Sequence, residues 1–469
     1  MPVPVLTLEQ MRAWERASWD AGRSEKTVIE RVGQLVAARV CRLTRNNDRV
    51  LILAGKGHNG DDARCAAPHL AGRVVELLDV VDSGPAWDAV ATALARQPAW
   101  IIDGLFGIGL NRPLDPDWIR LLEQVNASGR PVLAVDVPSG LAVESGVPLG
   151  AAIRARITVT LGAPKVGLLQ PTAWEHTGRL EFEPDIGLVP CPFAGELLWT
   201  LPGDFMAFPP PRPVAGHKGG FGHALILAGS RGYHGAAVLA ARGAQRARPG
   251  LITLGTSPEV YPPIAAQLQA VMVDDWSGAL AKQAGATAIL VGPGLVGREV
   301  PADVKVTVAE LWRSAPTPMV VDASALDWLP ESATPAPAPR VITPHPGEAA
   351  RLLGCTAERV QTGRIEALRA LSRRLGGCWV ALKGFQTLVG AAAGPVWVNG
   401  SGDSNLAQGG SGDVLAGFLT GLLAQPALQV EAGQTVRYAV WQHGAAGDQL
   451  SERSRNWTPE DLVAALGNV

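Results

Sequence analysis

The chain has little of what marks several protein classes. Its five cysteines in 469 residues (Cys41, Cys65, Cys191, Cys355 and Cys378) are scattered, odd in number and never spaced Cys-x-x-Cys. That pattern argues against a disulfide scaffold or a structural zinc site and leads us to expect a cytoplasmic protein. No run of about 18 apolar residues occurs, so no ordinary transmembrane helix is expected. The opening Met1-Pro-Val-Pro-Val-Leu-Thr-Leu lacks the basic region and apolar core of a signal peptide. A net charge of −2 gives no bulk electrostatic case for nucleic acid or an anionic membrane as a partner. There is no solenoid-type repeat, and no G-x-x-x-x-G-K-[ST] to support a P-loop NTPase fold.

What is present reads as globular. Hydrophobic residues make up 47% and charged residues 18% of the chain, and its length is too great for one core. An irregular stretch from about 184 to 216 ends in Pro209-Pro-Pro-Arg-Pro213. Such a run cannot continue a helix or an inner strand and reads as a connector. We therefore expect domains at 1–208 and 209–469. The second proline cluster, 331–339, falls between two convincing strands and reads as a surface loop.

In the first half, residues 7–44 carry apolar positions at helical spacing and predict helix. Val50-Leu-Ile-Leu-Ala54 predicts a buried strand that runs into Gly55-Lys-Gly-His-Asn-Gly60, a G-x-G-x-x-G match with Asp79 where a ribose-binding acid would fall. Trp100-Ile-Ile-Asp103 and Val132-Leu-Ala-Val-Asp136 end in small-residue loops, each with an aspartate at the strand terminus. In a doubly wound parallel sheet such ends meet along one crevice. Asp103, Asp136, Ser139 and Asn59 would then supply oxygens for a hard cation or a polyhydroxylated substrate. Both aspartates could equally be helix caps.

The second half repeats the strand–loop–helix pattern, so another parallel α/β domain is expected. Its strand ends carry Gly292, Gly294, Asp322, His345 and Lys383. The most informative stretch is Asn405-Leu-Ala-Gln-Gly-Gly-Ser-Gly-Asp413, which runs into an apolar segment of helical length. Gly409, Gly410 and Gly412 let backbone N–H groups converge, and a helix start near Asp413 adds its positive dipole end. That is an anion hole for a phosphoryl group. A carboxylate at its mouth is not needed to bind phosphate; removing a proton from a hydroxyl is one role for Asp413, and capping a buried helix is the other. His345 is either a substrate contact or a strand-end histidine bonding backbone. Lys383 either reaches a phosphate or is solvated.

Two sets of motifs carry a family resemblance. Leu8-Glu-Gln-Met-Arg-Ala, Val28-Ile-Glu-Arg-Val-Gly33, Asp103-Gly-Leu-Phe-Gly-Ile-Gly-Leu110 and Ala134-Val-Asp-Val-Pro-Ser-Gly-Leu141 resemble the NAD(P)HX epimerases, which interconvert the epimers of hydrated NADH and NADPH on a Rossmann-like fold. The resemblance implies a potassium ion on Asn59, Asp103 and Ser139. It implies substrate contacts from Asn59, Gly60, Asp62 and Asp136 and from the loop Gly107, Ile108, Gly109, Leu110, Asn111 and Arg112, with Asp136 catalytic. The glycine loop departs from the family pattern: His58 stands for an asparagine, and Asp61 and Ala63 for glycines. Side chains at 61 and 63 are expected to crowd a pyrophosphate.

His217-Lys-Gly, Gly292-Pro-Gly-Leu295, Thr343-Pro-His-Pro-Gly-Glu348, Leu382-Lys-Gly384 and Gly409-Gly-Ser-Gly-Asp-Val-Leu415 resemble the ADP- or ATP-dependent NAD(P)HX dehydratases, whose fold is ribokinase-like. By that resemblance Asp413 is the base. Ala236, Gly294 and His345 contact the hydrated nucleotide, while Lys383, Gly384, Phe385, Gln386, Thr387 and Gly412 hold the adenine nucleotide, with Mg²⁺ as helper. Pro249 and Val296 are small departures. The family fuses the two domains in this order. A bifunctional enzyme acting on NADHX and NADPHX is therefore expected, with ADP (or ATP), Mg²⁺ and K⁺ as cofactors and a homo-oligomeric state.

Overall fold

The computed structural model describes residues 2–296, 300–332, 334–454 and 456–467, and it divides into two compact units that meet at 195/196. Both are α/β. The strand Leu197–Thr200, which precedes the proline run, pairs in parallel with Val396–Asn399 in the second unit's sheet.

The first unit holds a six-stranded sheet in the order Val74–Asp79, Arg49–Ala54, Trp100–Gly104, Val132–Val135, Ile157–Leu161, Arg179–Glu183, parallel throughout. Strands buried on both faces need unbroken apolar runs, and Val50–Ala54 and Val132–Val135 provide them. The chain leaves Arg49–Ala54 to one side and returns to place Trp100–Gly104 on the other, so the order reverses between these two strands. Ligand crevices open at such a reversal, beyond the carboxyl ends. The helix expected over 7–44 is in fact two, Leu8–Asp20 and Glu25–Leu43. Gly22 turns into the left-handed region (φ 80°), and Ser24 caps the second helix by accepting from the Thr27 amide. Residues 22–27, Gly-Arg-Ser-Glu-Lys-Thr, hold no apolar side chain, and this short polar run with its glycine and serine marks the break.

The second unit's sheet has the order Leu197–Thr200, Val396–Asn399, Leu388–Gly390, Trp379–Leu382, Arg340–Ile342, Met319–Val321, Ala288–Val291, His223–Leu227, Leu251–Thr256, Met272–Asp275. It is parallel except at Leu388–Gly390, which is antiparallel to both neighbours. Here the order reverses between His223–Leu227 and Ala288–Val291. Helix Ser411–Leu423 is buried along nearly its whole length and packs on helix His234–Arg246 at backbone distance. A Cβ on Gly417 would lie 1.9 Å from the Ala240 carbonyl oxygen, and one on Gly243 would lie 2.4 Å from that of Val414. Among the described residues no helix is long and apolar enough to cross a membrane, and the five cysteines are free thiols.

Candidate active sites

In the first unit the loop after Arg49–Ala54 enters helix His58–Ala66 at the reversal point. Gly55 and Gly60 are held by close approach: a Cβ on Gly60 would sit 1.9 Å from the Gly55 carbonyl oxygen. Asn59 Nδ2 donates to the Phe106 carbonyl at 2.9 Å, tying this helix to the loop after Trp100–Gly104. Asp103, at that strand's end, is fully buried. It accepts from Ser139 Oγ at 2.6 Å, from the Ser139 amide at 2.9 Å and from the Leu105 amide at 3.2 Å. Ser139 Oγ in turn accepts from the Phe106 amide at 2.8 Å. Asn59, Asp103 and Ser139 therefore do converge, joined by the Phe106 carbonyl. Burial pushes the Asp103 carboxyl up to about 6 against the pull of the Ser139 hydrogen bonds. Asp103 bonds loop amides on both sides of the crevice and is no helix cap.

Asp136 follows Val132–Val135 with φ 63°, a left-handed conformation uncommon outside glycine and, at a strand end, a frequent mark of function. Its Oδ1 accepts from the Leu161 amide at 2.9 Å, from Thr160 Oγ1 at 3.3 Å and from the wholly buried ammonium of Lys165. Lys165 was not read from the sequence, where it is a single lysine after Gly162-Ala-Pro. Two further carboxylates face the pair. Asp62 is held well above the ordinary carboxylate range by burial and then by Asp136, Asp61 and Glu15. Glu15 is raised by burial and by Asp136; it was likewise missed, as one charge on a helix assigned to packing. Of the expected substrate loop, Gly107 lies against Asn59, whereas Ile108 packs on the Met11–Trp14 cluster and Leu110 on the core under Leu121. Gly109, Asn111 and Arg112 are exposed.

The departures in the glycine loop are absorbed locally. Ala63 is fully buried, and its methyl faces Gly104, where a Cβ would come within 2.4 Å. It fills helix–sheet space. Asp61 pairs with Arg64 at 2.8 Å, and Arg64 also binds Asp79 at 2.6 Å and the Gly55 carbonyl at 2.7 Å. Asp79 is thus an ion-pair partner.

In the second unit the reversal point brings Gly229 to Pro293, its amide donating to the Pro293 carbonyl at 2.9 Å. Gly294 adopts φ 64°, which glycine tolerates best, and a Cβ there would lie 2.8 Å from Ala236 Cβ. Helix Ser411–Leu423 starts at Ser411, two residues before the expected start near Asp413, with Gly410 as N-cap at φ 100°. Asp413 is therefore the third helical residue and not the cap. Its neighbours are charged. Lys383 Nζ lies 2.8 Å from Asp322 Oδ1 and 4.0 Å from Glu348 Oε2. A Cβ on Gly412 would be 3.4 Å from Lys383 Nζ and 3.9 Å from Asp322 Oδ2. Lys383 is accordingly paired and mostly buried rather than solvated; although burial works the other way, Asp322 and Glu348 hold its ammonium above the ordinary value. Burial, then repulsion from Asp322, lifts Asp413 to about 7, with Lys383 opposing. A carboxylate that titrates near neutrality fits a general base.

His345 caps helix Pro346–Leu353, its Nδ1 accepting from the Gly347 amide at 3.0 Å, and Glu348 Oε2 accepts from the His345 amide at 2.8 Å. The backbone-bonding role is thus met by Nδ1, while Nε2 lies on the other side of the ring. The segment 383–387 is held by buried Arg364, which donates to the Phe385 carbonyl at 2.5 Å and to that of Leu382 at 3.2 Å. Within it Gly384 and Gln386 have positive φ, Phe385 is partly exposed, and Thr387 Oγ1 donates to the Gly384 carbonyl at 3.1 Å. Asp322, expected among the strand-end residues, belongs to this site, and so does Glu348, which in the sequence reads as an ordinary helix-start acid.

The NAD(P)H-hydrate dehydratase family matches residues 224–467, and the family described as YjeF-related protein N-terminus matches 25–85 and 80–167. The chain is 38% identical to the bifunctional NAD(P)H-hydrate repair enzyme Nnr of Gloeobacter violaceus, over 98% of this chain and 96% of that one. It is 32% identical to the enzyme of the same name from Escherichia coli K12, over 100% and 94%. Among solved structures, an ADP/ATP-dependent NAD(P)H-hydrate dehydratase from Bacillus subtilis is 31% identical with a TM-score of 0.48, covering 55% of this chain and 92% of that one.

Proposed function

This chain belongs to the bifunctional NAD(P)H-hydrate repair enzymes, and we propose that its two units divide the work as follows. The first unit equilibrates the R and S epimers of NADHX and NADPHX. The second dehydrates the S epimer at the cost of ADP, releasing AMP and phosphate. The observation that carries the second assignment is the Asp413 carboxylate in the first turn of a buried helix that Gly410 caps, next to Gly412, which faces the Lys383–Asp322 ion pair.

In the dehydratase, the Gly412 and Asp413 amides and the helix dipole receive the transferring phosphoryl group. Asp413 takes the proton of the substrate's ring hydroxyl as its oxygen bonds phosphorus. The C–O bond then breaks, phosphate departs, and loss of a ring proton restores the dihydropyridine. Ala236, Gly294 and His345 line the nicotinamide side, and the Lys383–Thr387 segment holds the adenine nucleotide. Mg²⁺, arriving with the nucleotide, would neutralise phosphate charge beside the Asp322 and Glu348 carboxylates. In the epimerase, Asp136, held by the buried Lys165, moves the proton at the hydrated carbon, with Asp62 facing it. Asn59, Asp103, Ser139 and the Phe106 carbonyl are hard oxygen donors of the kind potassium takes. They would hold the ion where it fixes the two loops and keeps Asp103 ionised.

The test is to give the purified chain both NADHX epimers with ADP and Mg²⁺ and follow reduced-nicotinamide absorbance. Fast recovery of all the material is expected. Recovery of only the S fraction, followed by a slow spontaneous phase, would make the first unit a binding module. No recovery with ADP or ATP would overturn the repair reading in favour of a ribokinase-like small-molecule kinase.

A further inference from the structure

The loop that ends in the anion hole has few neighbours of its own in the sheet, yet it is ordered from Asn399 to Ser411. Beside contacts to Trp199, Leu239 and Trp457, a row of its hydrogen bonds runs to helix Ala432–Arg453. Ser401 Oγ donates to the Trp441 carbonyl at 2.8 Å, and the Gly402 amide donates to Asp448 Oδ2 at 3.0 Å. Asn405 Nδ2 donates to Ser451 Oγ at 2.9 Å. Further on, His443 Nε2 lies 3.0 Å from the Ser411 carbonyl oxygen and 3.3 Å from Ser411 Oγ. Between these bonds the helix lacks side chains where the loop presses on it. A Cβ on Gly444 would lie 2.3 Å from Ser401 Oγ, and one on Gly447 would lie 3.1 Å from the Leu406 side chain.

His443 is buried, and burial lowers it to about 4, so it is a neutral imidazole at working pH. A neutral ring with its proton on Nε2 donates to the Ser411 carbonyl. Ser411 is the first residue of the helix whose next two residues, Gly412 and Asp413, carry the anion hole and the base.

We propose that one face of helix Ala432–Arg453, formed by His443, Gly444, Gly447, Asp448 and Ser451, is the template that sets the phosphoryl-binding loop, with His443 the positioning residue for Asp413. The proposal rests on the dehydratase reading above. A hydrogen bond to the first helical carbonyl fixes the rotation of the first turn, and with it the direction of the Asp413 carboxyl. A small misplacement of a reacting group is enough to slow chemistry severalfold to a hundredfold while leaving ground-state binding intact. The face therefore governs kcat more than KM.

The test uses the full chain, with thermal unfolding of the second unit reporting that its fold is kept. His443→Leu cannot donate to Ser411, whereas His443→Gln can. We expect His443→Leu to lower dehydratase kcat at least about tenfold with KM for S-NADHX within about twofold, and His443→Gln to recover most of the loss. Ser401→Ala, a milder change in the loop itself, is expected to lower kcat by about threefold or more. Dehydratase kcat within about twofold of wild type in both His443→Leu and Ser401→Ala would overturn the proposal, as would equal losses in the Leu and Gln variants. Should His443→Leu lose the second unit's unfolding transition, Ser401→Ala decides alone. A wild-type chain without dehydratase activity would instead remove the reading on which the proposal stands.

Discussion

Asp413 offers a prediction in which catalysis and stability pull in opposite directions. The group has an ordinary value of 3.8, and in the folded chain it is lifted to about 7 by burial and by the Asp322 carboxylate. A raised carboxyl binds its proton more tightly in the folded state than in the unfolded one. The folded state therefore loses stability, relative to a chain without this group, as pH rises through the unfolded value, and the loss is complete above the folded value. Each pKa unit is about 1.4 kcal/mol, so the penalty reaches about 4 kcal/mol at pH 8 and is below about 2 kcal/mol at pH 5. Asp413→Asn keeps the shape and removes the charge. It should abolish dehydratase activity while raising the melting temperature of the second unit by about 5–10 °C at pH 8, and by less than half of that at pH 5. The assay is thermal unfolding of both proteins across this range, beside the wild-type pH–rate profile. That profile should show an acid limb near 7, with kcat falling tenfold per pH unit below it because the base is then protonated. A variant no more stable than wild type at pH 8, or stabilised equally at both pH values, would refute the reasoning that an ionised Asp413 is held against its surroundings.

Other consequences follow from the same charges and packing. Asp322→Asn removes the carboxylate that most repels Asp413, so the acid limb of the dehydratase profile should move to lower pH; an unmoved limb would detach Asp322 from the base. Asp136→Asn leaves the buried Lys165 ammonium without its carboxylate, a loss of about 3–5 kcal/mol in the first unit. Chemical denaturation should register it, with epimerase activity gone and dehydratase activity kept. Ala63→Gly opens space against Gly104 inside a helix, costing about 1 kcal/mol with no gain in epimerisation; a faster enzyme would mean that the Ala63 methyl does crowd the substrate. Replacing potassium with a larger organic cation should slow epimerisation and leave dehydration unchanged. Ser139→Ala should abolish that cation dependence, since it removes one of the four converging oxygens.

Much of the framework was legible because parallel sheets leave a direct trace. Strands such as Leu51–Ala54 and Ala288–Val291 are apolar on both faces and stop at small or acidic residues, so their carboxyl ends, and hence the two crevices, can be placed from the chain alone. The helix over 7–44 misled because apolar spacing on either side hides the short polar run 22–27, where Gly22 turns the backbone and Ser24 caps the next helix. The glycine loop misled for a related reason. Asp61 and Ala63 were weighed as if every residue of the loop faced a ligand, whereas helix His58–Ala66 turns one toward Arg64 and the other into the core.

The residues that escaped reading share a physical character. Lys165, Glu348 and His443 act through partners far away in sequence: Lys165 on Asp136, Glu348 on Lys383, His443 on Ser411. A lone charged or imidazole side chain in an apolar segment says only that burial must be compensated; the identity of the compensating group is set by topology. Lys165 shows how strong that constraint is. Its side chain is wholly buried, and its ammonium reaches Asp136, Thr160 Oγ1 at 3.2 Å and the Leu161 carbonyl at 2.8 Å. A cation so enclosed depends on the carboxylate beside it. The pairing fixes Asp136 beside Asp62, which has no such donor among the described residues and whose carboxyl burial, and then Asp136, holds well above the ordinary carboxylate range. The two neighbouring aspartates are thus set apart by which of them the fold supplies with a lysine.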